Sequence, residues 1–367
     1  MVSVLIVHPG TQYAPHLACE LEVRGLLHRF WTGLAFAESG WMAALLTLAP
    51  EGLRKRLAQR RVAVPARRLR SSPRLDWQAR KAAGSVGDEA AFFERNRRFQ
   101  EAVPDSELVA ASVVVGFDTS SWILARRAHA MGKRFILDQS IGHPVAKERA
   151  FESVRQRFPP WSTSVPRKSG ELLAIEREEH ELADLIVVPS DFVKQTLVGE
   201  GVEASKIRIN PFGTDLGVFH PAASTALRNG APCVFLFAGS ISARKGVPEL
   251  LRAWSEARLK HAELWLAGPG TIPVSDSHFV STSVKVLGRI NRSELAETLR
   301  RADVFVFPSH FEGLAQVQIE AQVSGLPIIG THQSGGTELI TEGESERSTA
   351  IHPLRVFAIH MPGGESS

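Results

Sequence analysis

Cysteine is nearly absent: Cys19 and Cys233, far apart and each in an apolar context, are the two in 367 residues. They form neither a disulfide framework nor a CxxC metal knuckle, and a reducing cytoplasm is the expected compartment. Long apolar runs are also missing. The longest, at 41–49, falls well short of the roughly 20 residues that a membrane-spanning helix needs, and the opening MVSVLIVHPG lacks the basic segment of a signal peptide. The sequence has no Asp-x-Asp pair to clamp a metal, no GxxxxGK[ST] and no GxGxxG. A P-loop ATPase and a dinucleotide oxidoreductase are therefore not expected. Charge of one sign is scarce too: 43 Lys and Arg face 39 Asp and Glu, a net charge of +4, and 44% of the chain is hydrophobic. Those proportions exclude disordered and fibrous classes and leave room for about two domains.

The small basic excess is concentrated. Residues 53–70 (LRKRLAQRRVAVPARRLR) carry eight Lys or Arg and no acid, directly after Trp41, Met42, Leu45, Leu46 and Leu48. An apolar stretch followed by a cationic one suits an anionic membrane surface, whereas a solvated charged helix is the plainer reading. No stacking aromatics interleave the cations, so no nucleic acid is expected as a partner.

Short β-branched runs recur at 2–7, 112–117, 134–138, 185–189, 233–239, 263–268, 284–288 and 304–308, with helical patterns between them, such as Ser120 to Met131 closing at Gly132. Continuous apolar strands separated by helices predict parallel sheets covered on both faces, an α/β class. One echo stands out: HELADLIVVPS at 180–190 and LRRADVFVFPS at 299–309 both run from a charged helix through Ala-Asp and four apolar residues into Pro-Ser. Two doubly wound Rossmann-like domains follow, with their boundary in the turn-rich 210–221 and a ligand cleft between them. The acidic helix from Glu171 to Glu181 reads as a solvated face.

Two segments carry chemistry. In FEGLAQVQIEAQVSGLPII, 311–329, Glu312 falls at the carboxyl end of strand VFVFPS, where open α/β sheets bind ligands. Gly313 permits close backbone approach, and a helix starting near Leu314 or Ala315 offers free N–H groups to an anion. Glu312 would accept hydrogen bonds from hydroxyls beside that anion, and Glu320, deeper in the helix, from a second hydroxylated ring. A phosphorylated sugar fits better than a lone phosphate. In FAGSISARKGVPELL, 237–251, Arg244-Lys245-Gly246 enters a helix after a strand and a Gly-Ser turn. Paired cations there can neutralise a pyrophosphate.

These residues resemble the donor-binding domain of glycosyltransferase family 4 (group 1), a retaining family with the GT-B fold of two Rossmann-like doubly wound domains facing a cleft. The resemblance rests on Glu312, seven residues, Glu320, the run at 323–329, Lys245-Gly246, the Ala-Asp strand at 302–308, and Gly335-Gly336 before Glu338. It is specific over 234–342, weaker over 171–221 and diffuse over 1–150. It implies that Lys245 contacts the donor diphosphate with Arg244 sharing the role, Glu312 the transferred sugar and Glu320 the ribose. Gly239, Ser240, Gly313 and Leu314 would line the donor site, with Ser240 standing where the family usually has Arg. The backbone near Gly288 and Arg289 would hold the base. On the acceptor side stand Asp138 in DQSIGHP and, by position, the loop from Gly10 and Thr11 to Tyr13 after the first strand; His143, several residues beyond the place where the family commonly has a histidine, is a candidate catalytic or sugar-contacting residue, with a satisfied loop histidine as the plainer reading. No cofactor and no metal are implied, and the nucleotide diphosphate sugar is a substrate.

The implied organisation is an acceptor-binding domain at 1–210, a linker at 211–222, a donor-binding domain at 223–343 and an atypical tail at 344–367, where the family's bracing helices are not recognisable. A missing brace would leave apolar surface open and lower stability. The implied function is transfer of a hexose from a nucleotide diphosphate sugar to a glycan or lipid-linked acceptor, in the cytoplasm or at the inner membrane surface. A sugar-nucleotide epimerase of similar fold and an inactive remnant that binds a nucleotide or a membrane are the alternatives.

Overall fold

The computed structural model describes residues 2–10, 13–38, 57, 60–75, 77–78, 81, 88–222, 230–336, 339 and 357–358. Elements alternate as the apolar runs dictate. The chain opens β1 (Val4–His8), α1 (Ala14–Val23), β2 (Leu27–Thr32), β3 (Phe36–Ala37), β4 (Arg61–Val62), β5 (Leu69–Ser71), α2 (Asp88–Glu101) and α3 (Asp105–Ala110). It continues β6 (Val113–Phe117), α4 (Trp122–Ala130), β7 (Arg134–Asp138), α5 (Pro144–Arg157), α6 (Gly170–Leu182), β8 (Leu185–Val188), α7 (Asp191–Gly199) and β9 (Ile207–Ile209). Then come β10 (Cys233–Ala238), α8 (Val247–Ala257), β11 (Ala262–Ala267), β12 (Val284–Gly288), α9 (Arg292–Arg301), β13 (Val304–Phe307), α10 (Gln316–Val323), β14 (Ile328–Gly330) and β15 (Phe357–Ala358).

Two large sheets result, ordered β5-β2-β1-β6-β7-β8-β9 and β12-β11-β10-β13-β14-β15. Neighbours pair in parallel from β5 to β8 in the first and throughout the second. β1 is buried along its whole length, as a central strand with both faces covered must be. Each expected strand is present within a residue or two. β2 was not expected, because its alternation LHRFWT carries charge.

The echo has a structural cause. Asp184 and Asp303 each accept a hydrogen bond from the backbone of the neighbouring strand, Phe135 N at 2.8 Å and Val234 N at 2.7 Å. Each aspartate's own N–H is returned to the carbonyl of that same residue, at 3.0 Å and 2.9 Å. The Ala-Asp pair therefore clamps strand to strand at the amino edge of both sheets.

The chain divides into two compact units, but not at one linear boundary. The first holds Met1–Ser140, Ser169–Val187 and Val202–Arg208, and the second holds Ile141–Lys168, Val188–Gly201 and Ile209–Ser367. The expected division at 210–222 missed that residues 141–168 and 188–201 pack with the second unit. The reason is apolar: Phe151, Val154, Phe158, Trp161 and Val165 join the core of β10, β11 and β13 side chains. The Trp161 indole N–H donates to Asp276 at 2.5 Å, and Ala243 N donates to Ser164 Oγ at 3.0 Å.

The helix read as a solvated acidic face is not one. α6 buries Leu172, Ile175, Glu176, Glu179 and His180. Glu179 accepts from Thr119 N at 2.8 Å and Ser121 N at 2.7 Å, which satisfies donors at the start of α4 that the Ser121 side chain does not cap. A tertiary carboxylate thus does the work of an N-cap, and charge on a helix was no guide to exposure.

Among the described residues no helix is long and apolar enough to cross a membrane. Residues 41–49, 53–56 and 58–59 lie outside the described residues. Within the rest of the basic run, Arg68 lies 3.5 Å from Glu22 and donates to the carbonyl of His28 at 3.1 Å. Of the tail, β15 adds two residues in parallel to β14.

Candidate active site

In the second unit, β10 ends at Ala238 and the chain turns through Gly239 and Ser240 into Ala243–Lys245, a single 3-10 turn. Gly246 follows at φ 72°, and a Cβ there would lie 2.0 Å from the carbonyl oxygen of Pro308. Only glycine lets this turn press against the end of β13. The adjoining loop is stitched on by Ser309 Oγ and His310 N, which donate to the carbonyl of Arg244 at 3.2 Å and 3.1 Å.

The result brings three sequence-derived residues together. Glu312 Oε1 lies 2.5 Å from Lys245 Nζ and 2.9 Å from Arg244 Nη1, and accepts from Ser309 Oγ at 2.9 Å. Lys245 also sits over the Phe307 ring, 4.9 Å from its centroid. Burial holds the Lys245 ammonium below its ordinary range against the pull of Glu312, and Arg244 adds to the lowering. A carboxylate thus compensates two cations at the carboxyl edge of the sheet, where an incoming anion could take its place.

The Glu312 loop is held from both sides. Glu312 N donates to Gln333 O at 2.9 Å, and Ser190 Oγ donates to Gly313 O at 2.6 Å. Gly335, at φ 70°, passes so close that a Cβ would lie 1.9 Å from Gly313 O. That contact explains Gly335; at Gly336 a Cβ would lie 2.5 Å from Gln318 Oε1. The helix begins at Gln316, later than the Leu314 or Ala315 expected; Leu314 and Ala315 are buried in the approach instead. Its first residues have no side-chain cap, since the N-cap position is Ala315. Gln318 N donates to Ala315 O at 2.9 Å, and the N–H groups of Gln316 and Val317, which precede it, are capped by no side chain.

Glu320 is buried, and burial pushes its carboxyl up to about 7 although Arg292 stands 3.7 Å away. A neutral carboxyl can donate as well as accept toward a hydroxylated ring. Gly239 N donates to Ala267 O at 2.9 Å, Ser240 Oγ is 3.3 Å from Ser242 Oγ, and Arg289 is exposed after β12. His143 is buried and caps α5: its Nδ1 accepts from Val145 N at 3.3 Å, and its own N–H donates to Thr196 Oγ1 at 3.0 Å.

In the first unit, Asp138 ends β7 and accepts from the Tyr13 hydroxyl at 2.9 Å. Burial, with Asp118 nearby, raises its carboxyl to about 7. Ser140 Oγ donates to Asp118 Oδ2 at 2.9 Å. Gly10 turns the chain after β1, its carbonyl accepting from Thr32 Oγ1 at 3.0 Å, and Thr11 lies outside the described residues. Tyr13 closes the loop expected on the acceptor side, whereas Asp118 and His8 escaped notice, although both show the same signal as Asp138: a polar residue at the carboxyl end of an apolar strand. Among the described residues no group of three His, Cys, Asp or Glu could hold a metal ion.

Residues 232–356 match the family model described as "Glycosyl transferases group 1". The match runs through much of the segment that reads as an atypical tail, so the family pattern extends beyond 343. A glycogen synthase of Mycobacterium tuberculosis (strain H37Rv) is 27% identical over 236 residues, 58% of this chain and 55% of that one. A D-inositol 3-phosphate glycosyltransferase of Kineococcus radiotolerans is 31% identical over 193 residues, 46% of this chain and 44% of that one. The chain thus spans about half the length of the curated relatives it matches. Among solved structures, sucrose-phosphate synthase from Thermosynechococcus elongatus aligns with a TM-score of 0.59 at 16% identity, covering 94% of this chain and 85% of that one. Anabaena HepE in complex with UDP and glucose aligns with a TM-score of 0.54 at 13% identity, covering 94% and 84%. The fold is GT-B, and within the second unit residues 232–356 are similar to group 1 glycosyl transferases.

Proposed function

We propose that the chain is a retaining glycosyltransferase that moves a hexose from a nucleoside diphosphate sugar to a hydroxylated acceptor, a glycan or a lipid-linked sugar. The observation that carries this reading is the Arg244–Lys245–Glu312 cluster beside the uncapped start of α10. Glycosyl transfer builds negative charge on the leaving diphosphate while the sugar becomes oxocarbenium-like. Two fixed cations and a helix N-terminus stabilise that charge where it develops, usually the largest catalytic contribution. The diphosphate displaces Glu312 from Lys245 and Arg244, and the freed carboxylate turns to the hydroxyls of the transferred sugar. Glu320 holds the ribose. The complex of HepE with UDP supports a uridine donor as the first to try. A basic segment at 53–70 would hold the enzyme at an anionic membrane surface near a lipid-linked acceptor.

The test is release of nucleoside diphosphate from a panel of sugar donors, with the anomeric form of the product read by NMR. Lys245→Ala should lower turnover at least about a hundredfold, the scale of losing a charge-stabilising donor. Unchanged turnover in that variant overturns the site, an inverted anomer overturns retention, and conversion of the donor sugar without acceptor marks an epimerase. Vesicle binding that is absent, or independent of salt, returns residues 53–70 to a solvated face.

A further inference from the structure

A second set of charged side chains meets on the loop that carries Glu312. His310, two residues before Glu312, brings Nε2 to 2.8 Å from Glu249 Oε1, and Arg157 donates to the same oxygen at 3.0 Å. A carboxylate oxygen only accepts, so the contact puts a proton on His310 Nε2. The side chains of His310 and Glu249 are 10% and 15% exposed, so water does little to hold either. Glu249 Oε2 is buried with no hydrogen-bonding partner among the described residues. A buried acceptor left unsatisfied costs stability, and such local costs persist where a site has a use for them. The three partners come from three segments of the second unit. Arg157 ends α5, and Glu249 lies in the first turn of α8, directly after the Ala243–Lys245 turn and Gly246. His310 belongs to the loop that follows β13, whose Phe311 packs edge-on against Phe151 of α5 with centroids 6.3 Å apart. The same loop is tied elsewhere by Thr331 Oγ1, which donates to Ser309 O, and by Glu312 N, which donates to Gln333 O.

We propose that Glu249 is a positioning residue for the transfer: acting through His310, it sets where Glu312 stands relative to Lys245 and Arg244. The brace runs from the helix that starts just after the cations to the loop that ends at the carboxylate. Side chains as well as backbone therefore fix the spacing of the two. That spacing matters because Glu312 has two tasks in turn. It compensates the cations when no anion is bound, and it faces the sugar once a diphosphate has taken them. A loop without its brace leaves the cations on their own turn before α8 and loses the aim of the carboxylate. Loss of aim lowers the rate and does not weaken donor affinity. A pair that serves stability alone predicts otherwise: lower melting, with rate and affinity moving together or not at all. The inference rests on the transferase reading for its meaning, but the geometry of the brace does not depend on turnover.

The experiment uses the whole chain as Glu249→Gln, Glu249→Ala, His310→Phe and the double variant of the last two. Turnover with the donor found in the panel is measured beside UDP affinity by calorimetry. Glu249→Ala and His310→Phe should each lower kcat about tenfold to a hundredfold, the scale of a misplaced reacting group. UDP should bind both as tightly as the parent or more tightly, because a Glu312 without its brace competes less well for Lys245 and Arg244. The double variant should be no slower than the slower single one, since the two side chains act as a unit. Glu249→Gln, whose amide oxygen can still accept from His310, should recover most of the loss. Unchanged kcat in both single variants, multiplied losses in the double variant, or UDP binding that weakens in step with kcat overturns the inference. Should Glu249→Ala not fold, His310→Phe and Glu249→Gln carry the test, and equal losses in those two overturn it. A crystal structure of ligand-free His310→Phe gives a readout without turnover. There Glu312 should lie outside hydrogen-bonding reach of Lys245 or Arg244. Turnover in the parent with an unmoved Glu312 in that variant sinks the brace alone, and a moved Glu312 in a chain that turns over no donor sinks the transferase reading alone.

Discussion

The carboxyl edges of the two sheets are built on opposite electrostatic plans. In the second unit, unlike charges meet: Lys245 and Arg244 close on Glu312, and Ser309 completes the carboxylate's hydrogen bonds. In the first unit, like groups are crowded together: Asp118 beside Asp138, and buried Glu179 pushed up to about 8 by burial and by Glu176. The compensated edge stands ready to exchange one anion for another. The crowded edge favours protons and hydroxyls, and its carboxyls sit near neutrality instead of fully ionised. A single fold thus presents one edge whose charges are compensated and one whose carboxyls are crowded.

That contrast can be broken most forcefully at Glu179. Glu179→Ala leaves the N–H groups of Thr119 and Ser121 without their buried acceptor. The expected loss is about 2–4 kcal/mol of stability, measured by urea unfolding, since each orphaned buried donor costs about 1–3 kcal/mol. An unchanged midpoint would mean that the charge crowding, relieved by the same substitution, outweighs the hydrogen bonds. At the compensated edge, Glu312→Gln removes the internal competitor for Lys245 and Arg244. UDP should then bind about tenfold tighter, equivalent to about 1.4 kcal/mol, while transfer falls. Weaker UDP binding would show that Glu312 holds the cations in place rather than occupying their site.

A pH dependence distinguishes the edges further, and its sign follows from the shifts. Asp138, raised from 3.8 to about 7, binds its proton more tightly when folded, so its contribution to stability is lost as pH rises through that window. His8, lowered from 6.5 to about 3, acts in the opposite sense: its contribution is lost as pH falls through its own window. The two slopes oppose each other between about pH 4 and pH 6.5. Asp138→Asn should therefore make the chain lose stability more steeply on acidification, and His8→Phe less steeply, in melting scans across that range. Parallel profiles for parent and variants would refute the assignment of either proton.

What was legible in the chain depended on spacing. Each parallel strand was readable because a strand covered on both faces is a continuous apolar run, and VFVF or CVFLFA has few other uses. Arg244, Lys245 and Glu312, which the fold brings together, could be singled out because two local segments carry them. The crowded edge was legible only in part: Asp138 ends an apolar strand and the loop ending at Tyr13 follows one, whereas His8 and Asp118 come from two further strand ends with no motif around them. Glu176 and Glu179 misled for a related reason: within an acidic helix nothing local distinguishes a carboxylate that faces water from one that serves the backbone of Thr119 and Ser121. The single boundary expected near 210 failed because Phe151, Phe158 and Trp161 declare themselves apolar without declaring which core they enter.

The interleaving of the two units along the chain has a consequence for biosynthesis. Phe151, Val154, Phe158 and Trp161 leave the ribosome long before Val234, Leu236 and Phe305, the core residues of β10 and β13 that they join. During that interval an apolar hairpin of chain has no native partner, while the first unit around it can already assemble up to Arg208. The most vulnerable moment for this protein therefore falls in mid-translation, when a chaperone that shields residues 141–168 would have the most to contribute.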